Sequence, residues 1–346
     1  MKELKWSHFV LNVGLMLALC GCAANIPAGS ETAPEHMVSE DGVSVAEETV
    51  EAEKISETGT ETRTEAEAET ETETDIDTDT VRESETKNEP MSLEKSEPVK
   101  TMKFVDVFGE EYETVVRDDI PKHEYKNDCF IRNGQLLRYE DESFSSRPGI
   151  DVSRHQGRID WSKVKEQGFE FAFIRIGYSG YGKEGSINLD QRFHENIKGA
   201  GEAGIDVGVY FFSQAIDEEE ALEEAEFVIE TLKGYELELP VVYDPESILD
   251  DVARTDDVSG EQFTKNTRVF CDSIREYGYE PMIYSNMLWE AFEFDLGQLT
   301  DIPVWYADYE EFPQTPYDFV FWQYSNEGQI SGIDGDIDLD IQIVRK

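Results

Sequence analysis

Basic residues are scarce in this sequence, and their scarcity excludes one large class of partners. The chain of 346 residues has 30 Lys and Arg residues against 77 Asp and Glu residues, which gives a formal net charge of −47 at pH 7. No basic patch is present that could meet the phosphates of DNA or RNA. We therefore expect no nucleic acid partner.

Long hydrophobic runs are also lacking, apart from one short run at the start of the chain. There, MKELKWSHFVLNVGLMLALCGC places two lysines before an apolar run of about 11 residues, which is too short to span a bilayer and typical of a signal peptide. Cys22 follows the small residue Gly21, as in the bacterial lipobox, so residues 1–22 are predicted to be a lipoprotein signal peptide with Cys22 lipidated. The alternative is an ordinary secretory signal cut near Ala23 or Ala24. We expect an extracytoplasmic protein that is anchored to the membrane and faces the cell wall, or is secreted if Cys22 is not lipidated.

Cysteine is rare as well, with 4 residues in the chain. Only Cys129 and Cys271 follow the predicted signal peptide. An exported protein permits a disulfide between them, but two isolated cysteines give no framework pattern. A disulfide and two free thiols therefore both stay open.

Large apolar side chains are almost absent from residues 23–100, where Glu, Thr, Ser, Ala and Asp dominate. Such a segment cannot bury enough surface to offset its chain entropy, so we predict a disordered linker. The alternating Thr and Glu residues have the period of a strand, but one face would be a row of like charges, and self-repulsion extends the chain instead. We interpret the linker as a tether.

Folded structure is predicted to begin after the linker. Residues 101–146 are expected to form a small β-rich module, with strands around Gly109-Glu110 and a turn at Asn133-Gly134. Residues 147–346 alternate apolar strand patterns with helical patterns, which predicts a parallel sheet covered by helices. The last three strand patterns have no full helices between them. The expected fold is therefore α/β, an irregular TIM-like barrel with eight strands and about five helices.

Catalytic residues of such barrels lie at the carboxyl ends of the strands. The candidates at these ends are Asp151, Tyr178, Tyr210, Asp244, Glu246, Tyr284, Trp305, Asp308, Trp322, Gln323, Asp336, Asp338 and Asp340. This set contains no Cys-His, Ser-His-Asp or multiple-His grouping, which argues against thiol, serine and zinc chemistry. Carboxylates beside flat rings favour glycoside hydrolysis, because sugar faces pack on aromatics while two acids handle proton and charge transfer.

The stretch LPVVYDPESI places Asp244 and Glu246 two residues apart at the end of one apolar strand. Side chains at this spacing point to the same face of a strand. Two like charges so close raise each other's pKa, which favours a protonated acid beside an ionised partner near neutral pH. The alternative is an exposed Asp-Pro-Glu turn, because proline and acids are ordinary loop residues.

Two other motifs carry less weight. Three glycines of residues 180–185 match G-x-G-x-x-G, but no helix begins directly after them, so a flexible loop over the barrel mouth is favoured over nucleotide binding. The segment DGDIDLD lacks the glycine and the closing Glu of a calcium loop, and its alternation predicts a strand with Asp336, Asp338 and Asp340 on one face. We expect no metal and no cofactor.

Together the motifs resemble those of the glycoside hydrolase family 25 lysozymes, which are bacterial and phage N-acetylmuramidases. GIDVSRHQGRIDW is close to the family's first-strand motif and PVVYDPE to its Asp-x-Glu strand, while VWYADY and FWQYSNEGQISGIDGDIDLD are close to its closing strands. The resemblance covers residues 148–344 in order. Two departures are Asp340, where the family usually has Asn, and Phe212, where His is common.

The resemblance implies hydrolysis of the β-1,4 bond from N-acetylmuramic acid to N-acetylglucosamine in peptidoglycan. Glu246 would be the general acid that protonates the leaving oxygen. Asp244 would orient the 2-acetamido group or stabilise the positive charge that develops at the sugar ring. Asp151 and Asp338 would complete the acidic floor. Retaining, inverting and substrate-assisted mechanisms stay open, with substrate assistance favoured.

Substrate binding is predicted to use the other strand-end residues, which are Tyr178, Tyr210, Tyr284, Trp305, Asp308, Trp322 and Gln323. For the two tryptophans a core position is the alternative, because aromatics fill barrels as readily as they line clefts. The expected partners are peptidoglycan glycan strands and, through the lipid anchor, the membrane, and we expect a monomer. The alternatives are a non-catalytic glycan-binding wall lipoprotein and an N-acetylglucosaminidase.

Overall fold

A computed structural model of the protein describes residues 99–249 and 251–346. The predicted signal peptide, the lipidation site Cys22 and nearly all of the predicted linker lie outside these residues and stay predictions. Across the described part of the chain, no helix is both long enough and apolar enough to cross a membrane. Cys129 and Cys271 are both free thiols, so they do not form a disulfide with each other.

The described chain begins with two β-hairpins. β1 (Thr101–Val105) pairs antiparallel with β2 (Glu111–Val115), and β3 (Phe130–Asn133) pairs antiparallel with β4 (Leu136–Tyr139). Gly134 and Gln135 form the turn between β3 and β4, and the φ of 64° at Gly134 suits the first position of a two-residue hairpin turn.

Eight strands of the described chain close into a barrel. They are β5 (Phe144–Val152), β6 (Phe171–Ser179), β8 (Asp206–Ser213), β9 (Val241–Pro245), β10 (Pro281–Asn286), β11 (Val304–Ala307), β12 (Phe321–Gly328) and β13 (Ile337–Arg345). Neighbours in this order pair with each other, and β13 pairs with β5 to close the ring. A short strand, β7 (Ile187–Leu189), pairs with the end of β6 outside the ring. The predicted eight-stranded barrel is confirmed.

The direction of the last strand differs from the prediction of a parallel sheet. Strands β5 to β12 of the barrel run parallel, but β13 is antiparallel to both of its neighbours. The connection from β12 to β13 spans only residues 329–336, which is too short for the crossover that a parallel strand requires. As a result, the first residues of β13 lie at the same end of the barrel as the last residues of the other strands.

Helices cover one side of the barrel. In the described residues the α-helices are α1 (Trp161–Glu166), α2 (Phe193–Glu202), α3 (Glu218–Thr231) and α4 (Gly260–Glu276), and a π-helical turn at Trp289–Glu293 follows β10. Side chains of Asp160, Asp217 and Ser259 accept hydrogen bonds from the first-turn N–H groups of α1, α3 and α4. These caps explain where the three helices begin.

The β3–β4 hairpin and the segment before it cover the strands that have no helices. The ring of Phe130 packs edge-on against Trp322, with 5.2 Å between the ring centroids, and Tyr125 packs in the same way against Phe319 at 5.0 Å. Leu137 and Tyr139 of β4 are buried in the hydrophobic core that also contains the outward-facing residues of the barrel. Strand β5 runs continuously across residue 147, so the hairpin segment and the barrel share one strand.

Candidate active site

Five acids meet at the end of the barrel where the parallel strands terminate. Asp151 comes from β5, Asp244 and Glu246 come from the end of β9, and Asp338 and Asp340 come from the start of β13. Asp338 lies directly opposite Asp151 in the antiparallel register, which places side chains of the same face about 5 Å apart at Cβ. The reversal of β13 is therefore what brings the last two acids to the mouth.

Asp244 lies in β9 and Glu246 is the first residue after this strand, close enough for its charge to raise the pKa of Asp244. All residues of Val241–Pro245 are buried, and Asp244 is only 5% exposed. The exposed Asp-Pro-Glu turn is therefore wrong for this segment. The Oδ1 atom of Asp244 is buried and has no hydrogen-bond partner within the described protein, so it is free to accept one from a ligand or a water.

The acids of the mouth hold protons more strongly than ordinary carboxyl groups. Burial raises the pKa of Glu246 to about 7, and the charge of Asp338 adds to this rise. Burial raises the pKa of Asp338 to about 6. Burial also raises the pKa values of Asp151 and Asp244, with further increases from Asp338 at Asp151 and from Glu246 at Asp244. At neutral pH the group therefore holds protons that can be donated to a substrate.

Gln323 connects two of the predicted site residues, Asp151 and Tyr284, with a further tyrosine. Its Nε2 donates to Asp151 Oδ2 over 2.7 Å, and its Oε1 accepts from the hydroxyls of Tyr284 and Tyr309, each at 2.9 Å. Because the amide oxygen is held by two phenols, the amide nitrogen must face Asp151. The sequence analysis places Gln323 and Tyr284 correctly at the mouth, but it does not identify Tyr309. Its position directly after β11, in VWYADY, could have indicated it.

Asp340 is the position where the family usually has Asn. It is fully buried, and its Oδ1 accepts from Trp305 Nε1 over 2.8 Å. Burial raises its pKa well above the ordinary value, while hydrogen bonds from Trp305 and Asp151 oppose that rise. Asp340 is therefore an acceptor at this position, whereas an Asn could also donate.

Arg175 is a site residue that the sequence analysis does not identify. Its side chain is mostly buried and pairs with the fully buried carboxylate of Asp190, with 2.8 Å between Nη2 and Oδ2. Arg175 opposes the rise in the pKa of Asp244, and it does not act in this way on Glu246. Burial and the charge of Glu246 still raise the pKa of Asp244 well above its ordinary value, so Arg175 offsets only part of that rise. A lone basic residue inside the apolar pattern FAFIRIG was the signal for it.

Both tryptophans occupy core positions, the alternative to a sugar-stacking role. Trp305 is 1% exposed and stacks inside the barrel on Phe173, with ring centroids 4.6 Å apart. Trp322 is 0% exposed and points outward, because its neighbour Gln323 points inward and successive side chains of a strand alternate. Neither ring offers a face to a ligand.

The remaining predicted substrate contacts lie in different surroundings. Asp308 accepts hydrogen bonds from the Tyr306 hydroxyl and from the backbone N–H groups of Glu310 and Gln314, so it organises its own loop instead of facing the mouth.

Tyr178 is partly exposed, and the guanidinium groups of Arg154 and Arg175 lie over its ring. Tyr210 is partly buried and packs edge-on against Trp305 in the barrel interior. Asp336 is exposed and bonds to Gln329.

The arrangement fits the chemistry of glycoside hydrolysis. A buried acid that is protonated near neutral pH can protonate a leaving oxygen, and a neighbouring carboxylate beside a cation can stabilise positive charge or orient the substrate. Within the described residues, no group of three or more His, Cys, Asp or Glu side chains is arranged to hold a metal ion.

Comparisons with known proteins point in the same direction. The family model described as glycosyl hydrolases family 25 matches residues 150–333. An autolytic lysozyme of Clostridium acetobutylicum is 30% identical over 194 residues, which cover 56% of this chain and 54% of that protein. Lysozyme M1 of Streptomyces globisporus is 29% identical over 210 residues, which cover 55% of this chain and 65% of that protein. The chain thus spans less than two thirds of the length of either relative.

One solved structure has a similar fold. The modular autolysin LytC of Streptococcus pneumoniae, in complex with a synthetic peptidoglycan ligand, has a TM-score of 0.51 and 23% sequence identity. The match covers 69% of this chain and 56% of that chain. At this identity the likeness concerns the fold.

Proposed function

The chain belongs to glycosyl hydrolases family 25, and on this basis we propose that it is a peptidoglycan hydrolase that cleaves the β-1,4 bond between N-acetylmuramic acid and N-acetylglucosamine. The observation that carries the proposal is the buried Asp244 beside the partly buried Glu246 at the barrel mouth, backed by Asp151 and Asp338. Lysozyme relatives support the same activity. A non-catalytic wall-binding lipoprotein would not need this set of protonated acids.

In the proposed reaction Glu246 donates its proton to the glycosidic oxygen as the bond from that oxygen to the sugar carbon breaks. Asp244 orients the 2-acetamido group of the substrate, whose carbonyl oxygen attacks the same carbon. Water then opens the resulting ring and returns a proton to the site, so one water is consumed for each bond cleaved. Asp151 and Asp338 hold the pair in a shared acidic floor.

The test of the activity is digestion of purified peptidoglycan, followed by reduction and mass spectrometry of the released fragments. We expect reduced muramic acid ends. Reduced glucosamine ends would assign the protein as an N-acetylglucosaminidase, and no release by a folded protein would favour the binding lipoprotein. Because a general acid contributes about 100-fold or more, Glu246→Gln should lower the rate by at least about that factor.

A matched control separates the acid role from a loss of folding. Glu290 is also buried and also has a raised pKa, but it lies in the π-helical turn and contacts Thr315, away from the five acids. Glu290→Gln should therefore retain the wild-type rate. Full activity of Glu246→Gln would exclude the assigned mechanism. Since Glu246 must be protonated and its pKa is about 7, the rate should fall as the pH rises through about 7.

We also propose that a lipid on Cys22 attaches the enzyme to the membrane and that the acidic linker lets the barrel reach the wall. The lipobox-like Leu19-Cys20-Gly21-Cys22 and the composition of residues 23–100 support this proposal. Cys22→Ala should move the protein from the membrane fraction to the culture medium and abolish labelling by a radioactive fatty acid. Labelling that persists in Cys22→Ala would contradict the assignment.

A further inference from the structure

The carbonyl of Glu246 is held by a side chain from the neighbouring strand. β8 and β9 pair in parallel up to Ser213 and Pro245, and there the ladder ends, because Pro245 terminates β9. Gln214 is the first residue after β8, and Glu246 is the first residue after β9. The Gln214 Nε2 atom donates to the Glu246 carbonyl oxygen over 2.8 Å. This side-chain bond fixes the backbone one residue beyond the end of the ladder.

The side-chain amide of Gln214 makes all of its hydrogen bonds within the protein. It is 1% exposed, and its Nε2 also donates to the carbonyl oxygen of Ser213 over 3.0 Å. Its Oε1 accepts from Thr255 Oγ1 over 2.9 Å, in the segment that follows the acid pair. The amide therefore joins the end of β8, the residue that carries the proposed general acid, and the loop beyond it. No polar atom of the side chain is left for a substrate.

Gln214 is in turn held by a buried carboxylate that the proposed reaction does not use. Glu224 of α3 is 1% exposed, and its Oε1 accepts from Ser179 Oγ over 2.6 Å and from the Gln214 N–H over 3.3 Å. Its Oε2 accepts from Ser213 Oγ over 2.6 Å. Three donors surround the carboxylate, so it binds the ends of β6 and β8 to the helix that covers them.

We infer that Gln214 and Glu224 are positioning residues that set the direction of the Glu246 carboxyl group toward the glycosidic oxygen. The inference rests on the proposed function, because it assigns Glu246 as the acid. A displacement of about 1 Å at a reacting group can lower a rate by about 100-fold. Loss of the Gln214 amide would release the backbone of Glu246 and displace its carboxyl group in this way.

The test compares Gln214→Met with a control that loses a similar bond elsewhere. Gln214→Met keeps the volume of the side chain and removes its hydrogen bonds. The control is Tyr125→Phe, which removes a side-chain donor to the carbonyl oxygen of Phe319 at 2.7 Å on the hairpin side of the barrel. Thr255→Val is a milder second variant, because it removes only the donor to Gln214 and keeps the shape of the side chain.

We expect Gln214→Met to lower kcat by about 10- to 100-fold with KM changed less than about threefold, because substrate still binds while the proton is misplaced. Thr255→Val should lower kcat by a smaller factor in the same direction. Tyr125→Phe should leave kcat unchanged while its melting temperature falls as much as that of Thr255→Val. The inference would be overturned if Gln214→Met and Thr255→Val had the same kcat as wild type. It would also be overturned if Gln214→Met, Thr255→Val and Tyr125→Phe lost kcat equally.

Amide hydrogen exchange separates this inference from the proposed function. In Gln214→Met the amides of residues 246–249 should exchange faster than in wild type, while Tyr125→Phe leaves them unchanged. If wild type releases no fragments from peptidoglycan but the exchange differs as stated, the proposed function fails and the positioning role stands. If wild type is active and the exchange of these residues is the same in Gln214→Met, the positioning role fails and the proposed function stands.

Discussion

The two sides of the barrel are covered in different ways. On one side, α2, α3 and α4 pack against β6, β8, β9 and β10, as in a regular α/β barrel. On the other side, β4 packs against β5 and β13, and the rings of the hairpin segment pack on Phe319 and Trp322. Both covers contribute to one continuous hydrophobic core.

The difference shows that the irregular side is completed by chain that precedes the family region. The family match begins at residue 150, so β1 to β4 lie outside it. Yet Leu137 and Tyr139 are as well buried as the core residues of α4. The acids at the barrel mouth come from both sides of the barrel, since β9 on the helix side supplies Asp244 and β13 on the hairpin side supplies Asp338. Strand β4 therefore packs on the two strands that carry Asp151, Asp338 and Asp340.

The largest expected effect comes from removing the hairpin cover. A chain that begins at Phe144 would expose the apolar residues of β5, β12 and β13 that the hairpins bury, so we expect it to lack a cooperative thermal transition in circular dichroism. A chain that begins at Val99 serves as the control and should unfold cooperatively. Equal melting temperatures for the two chains would show that the helix side folds without the hairpins.

A pair of single substitutions compares the two covers directly. Leu137 of β4 and Ile274 of α4 are both 0% exposed. Leu137→Ala and Ile274→Ala should each lower the free energy of unfolding by about 2–5 kcal/mol, because each leaves a cavity in a packed core. Urea denaturation measures both values. A cost for Leu137→Ala below about 1 kcal/mol would mean that the hairpin cover is loosely packed, in contrast to the helices.

The comparison also shows what the sequence can and cannot predict. The eight strands and the helix starts were predictable, because apolar runs and capping residues are local signals. The direction of β13 was not, because Asp-x-Asp alternation is the same in a parallel and an antiparallel strand. The inward Arg175 was missed because its charge is balanced by Asp190, which is distant in sequence. The core position of Trp322 was left open, although the alternation with Gln323 could have indicated it.

Two buried acids, one on each side of the barrel, should make the stability of the protein depend on pH. Burial raises the pKa of Glu290, beside the hairpin side, to about 8, and that of Glu224, on the helix side, to about 7. The folded protein binds these protons more tightly than the unfolded chain, so stability is lost as the pH rises from about 4.5 through the folded-state pKa. Of these two acids, Glu290 should contribute the larger loss between pH 7 and 8.

Glu290→Gln tests this assignment. The amide keeps an acceptor for the Thr315 hydroxyl and cannot ionise, so the variant should lose less stability than wild type between pH 7 and 8.5. Urea denaturation at pH 5, 7 and 8.5 gives the free energies of unfolding. Glu224→Gln should instead change the slope mainly between pH 5 and 7. Parallel curves for wild type and Glu290→Gln would show that Glu290 does not take up its proton in this range.

The smallest expected effect concerns the ion pairs at the two covers. Arg117 bonds to Asp119 and Asp295 beside the hairpins, and Arg268 bonds to Asp272 and Asp301 beside α4. Because all these side chains are partly exposed, Arg117→Gln and Arg268→Gln should each cost less than about 1 kcal/mol, and less still at high salt. A cost for Arg117→Gln equal to that of Leu137→Ala would mean that charge, and not apolar burial, attaches the hairpins. Salt dependence of urea denaturation distinguishes the two, since screening weakens an ion pair and leaves a cavity cost in place.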